Sequence, residues 1–123
     1  MVFEVNDFLQ TVEQMKSFWL KSRFNELRIE AHKDTNTIDF ISIDEESGLE
    51  TVASVSGYVS ENKLLYARTV KGFYNAVKLL QDINVGRNNP LQLRLMPSKE
   101  DRRHFTLEVL LAHWDFVAST EKQ

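Results

Sequence analysis

Two stretches of the chain carry the same apolar pattern 65 residues apart, the offset between Val5 and Val70. When these valines are aligned, apolar residues coincide at helical spacing along both stretches. The aligned pairs are Val5 and Val70, Phe8 and Phe73, Leu9 and Tyr74, Val12 and Val77, and Met15 and Leu80. A short apolar strand pattern precedes each stretch, at 2–5 and 64–67. The sequence therefore predicts two amphipathic helices, one in each half of an internally repeated domain.

The first helix is predicted over residues 7–23, with Asn6 or Asp7 as its N-cap. Its apolar stripe continues from Val12 to Trp19, so we expect Trp19 to pack in the core rather than to stack on a base. The second helix is predicted over residues 70–82. Both helices should bury their apolar stripe against a sheet.

Alternating apolar and polar residues predict the strands of that sheet. They cover 27–31, 37–43, 50–59, 63–68, 91–95 and 103–109, and a last strand falls within 110–117. The connections between the first three are too short for crossover helices, so these strands should be antiparallel. The fold class is therefore α+β, with two β-α-β-β-β halves at about 1–61 and 62–117 in a single domain and a frayed tail at 118–123.

The strand at 50–59 carries no charged residue from Thr51 onward. Edge strands that face water usually carry charges or proline, because a bare edge can pair with another chain. We therefore expect this strand to be an edge that a second copy of the chain covers. The predicted contact residues are Thr51, Ala53, Val55 and Val59.

Composition narrows the function classes. The chain has 123 residues and no cysteine, so a disulfide framework and a thiolate nucleophile are excluded. Its net charge of −3 argues against nucleic-acid binding by bulk charge, although a local basic face is compatible with it. We expect a cytoplasmic protein, because neither a leader pattern nor an apolar run of membrane-spanning length is present.

No catalytic motif is recognisable. The histidines, His32, His104 and His113, are far apart in sequence, and Asp44–Glu46 is more typical of an acidic turn than of a cation loop. Nucleophile-elbow, phosphate-loop and dinucleotide-binding patterns are absent from the sequence. The sequence therefore predicts a protein that is not an enzyme and has no cofactor and no metal site; a small α+β enzyme with an unrecognised pocket is the less favoured alternative.

Positive charge is concentrated in the helices. Residues 7–23 hold three Lys or Arg against two acids, and residues 70–82 hold two against one, so these stretches sum to +2 and the remainder to −5. Such lysines could contact phosphates without regard to base sequence, or could be ordinary solvated residues. The candidate DNA-facing residues are Lys16, Lys21, Lys71, Asn75 and Lys78.

The order of elements and several segments resemble one domain of the DNA sliding clamps, the processivity factors of replicative polymerases. The resemblance is carried by 3–9, 37–44, 51–59 and 65–73, and it spans about 2–116. It implies a ring of six such domains around duplex DNA, with helices lining the hole and sheets outside. Known clamp chains carry two or three domains, so a ring of this single-domain chain would need six copies.

The resemblance implies a homo-oligomeric clamp that supports DNA replication or another DNA transaction, with duplex DNA, further copies of itself and a polymerase or other DNA-processing protein as partners. A dimer, an open arc or an assembly that a partner completes is equally compatible with the sequence. The alternative function is a clamp-fold accessory module that binds a protein or small ligand without encircling DNA. Trp114, near the C-terminus, is a candidate partner contact under either function.

Overall fold

A computed structural model describes residues 1–20, 25–84, 91–97 and 105–110. Its strands are β1 (Val2–Glu4), β2 (Glu26–His32), β3 (Thr37–Ile43), β4 (Glu50–Tyr58), β5 (Lys63–Ala67), β6 (Gln92–Pro97) and β7 (Phe105–Leu110). Its helices are α1 (Val5–Gln14), α2 (Lys16–Trp19) and α3 (Val70–Ile83). Within these ranges every helix is too short or too polar to cross a membrane.

The seven described strands form one antiparallel sheet in the order β5-β2-β3-β4-β1-β6-β7, and the fold is α+β as the sequence predicts. The β2–β3 hairpin turns at Asn36, which takes a positive φ of 52°. Asparagine tolerates this left-handed conformation better than most residues. Asp44 closes the β3–β4 turn, since its Oδ1 accepts the N–H groups of Glu46 at 2.9 Å and Ser47 at 3.2 Å. The acidic segment 44–46 thus contains a turn-forming residue, as its composition indicates.

The strand predicted to be an edge, β4, lies inside the sheet order. It pairs with β3 from Glu50 to Ser56 and with β1 at Gly57 and Tyr58. The prediction of an outer strand is therefore wrong at the end that β1 covers. Within the described ranges, the edge from Glu50 to Val55 that faces away from β3 has no strand partner.

Gly57 makes the junction between β4 and β1 possible. A Cβ atom built at this position would collide with the backbone carbonyl oxygen of Val2 and would also contact Ile38 at 3.2 Å. Only glycine allows two backbones to approach so closely. The junction matters for the whole sheet because β1 also pairs with β6, and so connects β2–β5 to β6 and β7.

The first helix is shorter than its sequence pattern predicts and begins earlier. It starts at Val5 with Glu4 as its N-cap, so the prediction of Asn6 or Asp7 as the cap is wrong. The chain leaves helical geometry at Met15, where φ is −127°, and continues as the short helix α2. This break re-aims Trp19, which is fully buried and donates its indole N–H to the Phe40 carbonyl oxygen at 3.0 Å. The expectation of a core role for Trp19 is confirmed.

Both long helices pack on the same face of the sheet, through a cluster of aromatic rings. Phe40, on β3, lies 4.8 Å from Phe8 of α1 and 5.5 Å from Phe73 of α3, measured between ring centroids. Phe8 and Phe73 are themselves 5.6 Å apart in an edge-on arrangement. The contacts of Phe8 with Phe40 and with Phe73 are edge-to-face, at 70° and 80°, and this geometry is favourable beyond the area buried.

The two long helices run antiparallel. Gln81 near the end of α3 donates to the Asn6 side chain near the start of α1 at 3.2 Å, whereas Lys16 lies over the Tyr74 ring in the first half of α3, at 5.6 Å from its centroid. The two halves of the chain therefore place their helices side by side.

Contacts between the halves are reciprocal. The first strand of each half pairs with the second strand of the other half, as β1 with β6 and β2 with β5. The first helical N–H groups follow the same rule: Val5 donates to the Leu91 carbonyl at 2.9 Å, and Val70 donates to the Asn25 carbonyl at 2.8 Å. Leu91 and Asn25 each immediately precede a strand, β6 and β2 respectively.

Candidate nucleic-acid interface

The outward side of α3 carries three of the predicted DNA-facing residues. Lys71, Asn75 and Lys78 are all exposed, and their spacing of four and three places them on the side of the helix opposite Phe73 and Val77. These three side chains are therefore available to a ligand lying across the helices.

The helix begins sharply because its N-cap, Thr69, has extended backbone angles and its hydroxyl accepts the Gly72 N–H at 3.0 Å. A capping threonine of this kind typically stabilises a helix by about 1 kcal/mol. The cap fixes the helical register at Val70, and hence which side chains face away from the sheet.

Lys16 follows the end of α1 and lies beside α3. It is the first residue of α2 and is exposed, and its ammonium group lies 5.6 Å from the centroid of the Tyr74 ring on α3. This distance is within the range of a cation–π interaction. Lys16 thus shares the helical side of the molecule with Lys71 and Lys78, whereas Lys21 lies outside the described residues.

Opposing charges balance on the described helices. Their three lysines, Lys16, Lys71 and Lys78, are matched by three acids, Asp7, Glu13 and Asp82. The net charge of these helical residues is therefore zero, against −3 for the whole chain. The excess of +2 that the sequence assigns to its helical stretches rests on Lys21 and Arg23, which lie outside the described ranges.

Burial raises the pKa of Glu4, the N-cap of α1, and repulsion by Asp7 raises it further. This pair of carboxyl groups lies at the start of α1. It adds negative potential to the end of the helix remote from Lys16. An anionic ligand should therefore contact the Lys16 end of α1 in preference to the Glu4 end.

The residues proposed for an oligomer edge have different surroundings. Ala53 and Val55 are buried in the core of this chain, opposite Phe40 and Ile38 of β3. Val59 is also buried, and its N–H donates to the Asn36 side-chain oxygen at 3.2 Å. These three side chains are not available to a second copy.

Thr51 is half-buried, on the same face of β4 as Ala53. It pairs with Ser42 of β3, whose side chain is buried. Among the described strands, what β4 leaves unpaired is therefore its backbone edge at 50–55, rather than the side chains that the sequence suggested.

The face of the sheet opposite the helices carries a cluster of polar side chains that was not predicted as a site from the sequence. Arg28, Glu30 and His32 alternate along β2, and Asp39 faces Glu30 on β3. The alternation alone places the β2 side chains away from the core. The convergence of Asp39 with them requires the β2–β3 register, which no local pattern specifies. His104 and His113 lie outside the described residues, as does Trp114.

Comparison of the chain with protein-family models, with curated proteins and with solved structures finds no match.

Proposed function

We propose that this chain is a non-enzymatic, clamp-like DNA-binding domain that binds duplex DNA along its helical side and assembles with further copies of itself. The observation that carries the proposal is the antiparallel pair of helices on one face of an antiparallel sheet. Reciprocal pairing of β1 with β6 and of β2 with β5 supports a domain made of two equivalent halves. In the clamp domains that the sequence resembles, the helices face the DNA and the sheets form the outer wall.

The DNA contact would be electrostatic and independent of base sequence. Lys71 and Lys78 are exposed on the outward side of α3, Asn75 lies between them, and Lys16 adds a cation at the junction with α1. A few lysines on one domain bind DNA weakly. Affinity would come from repetition of the domain around or along the duplex, with a steep dependence on salt.

Assembly would use the unpaired backbone edge of β4. The Gly57 N–H donates toward β3, to the Asn36 carbonyl at 2.9 Å, so alternation directs the N–H and C=O groups of Val52 and Ser54 away from β3. A strand from a second copy could pair there, as exposed sheet edges commonly do. In the proposed function, a ring of such single domains contains six copies.

A second function has an observation in its favour. The described helical residues carry no net charge, and Phe18, Leu79 and Ile83 expose 68%, 59% and 58% of their surface on α2 and α3. A protein partner suits a neutral surface with exposed apolar side chains better than DNA does. This alternative is a clamp-fold interaction module that does not encircle DNA.

One experiment separates the two functions. The assembly mass is measured in solution, and retention is then compared on closed circular DNA and on the same DNA after linearisation. A ring stays on the circle and slides off the linear form, whereas an interaction module is lost readily from both. Loss from both would contradict encirclement.

Charge variants locate the DNA contact. In the double variant Lys71→Gln/Lys78→Gln, the slope of the logarithm of the DNA-binding constant against the logarithm of the salt concentration should become shallower. The change should be about one unit for each lysine that contacts a phosphate. The matched control is Lys33→Gln/Lys63→Gln, which removes the same charge at the β2–β3 turn and at the start of β5. Equal effects of the two doubles would contradict a helical binding side.

A further inference from the structure

On the face of the sheet opposite the helices, three potential metal ligands converge. Glu30 and His32 project from β2, and Asp39 projects from β3 at the position paired with Glu30. His32 Nε2 lies 3.0 Å from Asp39 Oδ2 and 3.8 Å from Glu30 Oε1, and one ligand atom from each residue lies within 4.8 Å of the others. We propose that these three side chains form a binding site for a divalent transition-metal ion of the Zn²⁺ type.

The spacing suits a single ion. Ligand atoms that bind one metal at about 2.0–2.2 Å in tetrahedral geometry lie about 3.3–3.6 Å from one another. The distances from His32 Nε2 to Asp39 Oδ2 and to Glu30 Oε1, 3.0 Å and 3.8 Å, bracket that range. All three ligand atoms lie within 4.8 Å of one another, so binding of one ion requires side-chain rotations that close the widest of these gaps.

Neighbouring side chains orient both carboxylates and leave one oxygen of each toward the site. Arg28 Nε donates to Glu30 Oε2 at 2.8 Å, and Ser54 Oγ donates to Asp39 Oδ1 at 2.6 Å. The oxygens that converge with His32 are the other two, Glu30 Oε1 and Asp39 Oδ2. Outer-shell hydrogen bonds of this kind fix ligand orientation in metal sites.

The local charge also favours a dication. Glu30, Asp39 and Glu50 contribute three negative charges, and Arg28 contributes one positive charge. Arg28 is shared, because its terminal nitrogen contacts the two Glu50 oxygens at 3.0 Å and 3.1 Å while its Nε contacts Glu30. The formal sum is −2 when His32 is neutral, and an imidazole must be neutral to bind a metal.

The donor set indicates the class of ion. One imidazole with two carboxylates suits Zn²⁺ and neighbouring transition metals, whereas Mg²⁺ and Ca²⁺ prefer ligands that are all oxygen. Three protein ligands leave a fourth position for water or for a group from another molecule. Since the ligands come from two adjacent strands, a bound ion would cross-link β2 and β3.

Titration of the whole chain with Zn²⁺ tests the site. Calorimetry should give one tight site per chain that involves these residues. At a free Zn²⁺ concentration a hundredfold above the dissociation constant, the melting temperature should rise by at least about 5 °C. Mg²⁺ at the same concentration should leave the melting temperature unchanged.

Three variants assign the ligands: Glu30→Gln, His32→Gln and Asp39→Asn. Each should weaken Zn²⁺ binding by at least about tenfold, whereas Glu46→Gln, which alters an exposed acid in the β3–β4 turn, should not. The metal-free melting temperature of each variant shows whether its fold is retained. As a readout that does not depend on stability, Zn²⁺ should shift the ¹⁵N resonance of His32 Nε2 in the parent chain.

Two results would overturn the proposal. One is a dissociation constant above about 1 mM for the parent chain, which is the range of weak extracellular cation sites. The other is Zn²⁺ binding that survives in all three ligand variants, because the ion would then be bound elsewhere. Either result leaves the proposed DNA function unaffected, since the two surfaces lie on opposite faces of the sheet.

Discussion

Replacing Phe8 and Phe73 with leucine, singly and together, probes the contact between the two helices. Both rings lie in the core, with 0% and 5% of their surface exposed, and their centroids are 5.6 Å apart at an interplanar angle of 80°. Phe8 and Phe73 occupy aligned positions in the two helices, because they are 65 residues apart, as Val5 and Val70 are. A double-mutant cycle at this pair measures whether the helices share one face of the sheet.

The expected magnitudes follow from the packing. Leucine nearly preserves side-chain volume, so each single change should cost about 1–1.5 kcal/mol of unfolding free energy. Each also removes the edge-on contact between Phe8 and Phe73, which is worth about 0.5–1.5 kcal/mol. The second substitution cannot lose that contact again. The double variant should therefore be more stable than the sum of the single effects predicts, by about that amount.

Urea unfolding followed by circular dichroism supplies the four free energies. Tryptophan fluorescence gives a second probe, because one of the two tryptophans, Trp19, has its ring 5.7 Å from that of Phe8. As a control, Phe8→Leu is combined with Tyr66→Phe, which lies on the outward face of β5 and should act independently. Additivity of Phe8→Leu and Phe73→Leu within about 0.3 kcal/mol would refute the packing described here.

Three further changes test separate parts of the fold. Gly57→Ala should destabilise the chain by about 1–3 kcal/mol in urea unfolding, because the new Cβ meets the backbone of β1; an unchanged midpoint would refute the close crossing. Trp19→Phe should lower the free energy of unfolding by about 1–3 kcal/mol in the same assay, because it removes the indole donor to the Phe40 carbonyl. A loss below about 0.5 kcal/mol would exclude that hydrogen bond as a stabilising contact. The raised pKa of Glu4, caused by burial and then by a neighbouring carboxylate, means that folding favours its protonated form. The stability that protonated Glu4 contributes is lost as pH rises through its folded pKa. Glutamine does not ionise, so the melting temperature of Glu4→Gln should rise relative to that of the parent as pH increases above 4.5. A parallel pH dependence of the two melting temperatures would contradict the raised pKa.

Local patterns in the sequence were sufficient for most elements. The alternation at 37–43 coincides with β3, and the aligned valines, Val5 and Val70, are the first residues of α1 and α3. Side-chain periodicity reports which face of an element is buried, and this depends only on near neighbours along the chain.

Features set by distant contacts could not be read in this way. The break at Met15 is accompanied by the bond from Trp19 to Phe40, whose partners are 21 residues apart. The interior position of β4 depends on its pairing with β1, in which Gly57 lies beside Phe3 although the two residues are 54 positions apart in sequence. Periodicity carries no information about such pairings.

One candidate site follows from a local pattern, whereas the other depends on a contact between strands. The outward position of Lys71 and Lys78 follows from helical spacing within a single element, and the structure places both on an exposed side. The cluster of Glu30, His32 and Asp39 required the register between two strands. The expectation of no metal site came from the wide spacing of the three histidines and from the turn-like composition of 44–46, neither of which reports that His32 lies beside Asp39.

Mapping a short duplex DNA onto the chain by backbone NMR tests the central claim most directly, since the proposed binding surface is one face of the fold. Signals from Lys16 and from 71–78 should shift in a salt-dependent way, while those of the outward residues of β2 and β3 should stay in place. Shifts confined to β2 and β3, or the absence of any shift at low salt, would contradict a DNA-binding helical side.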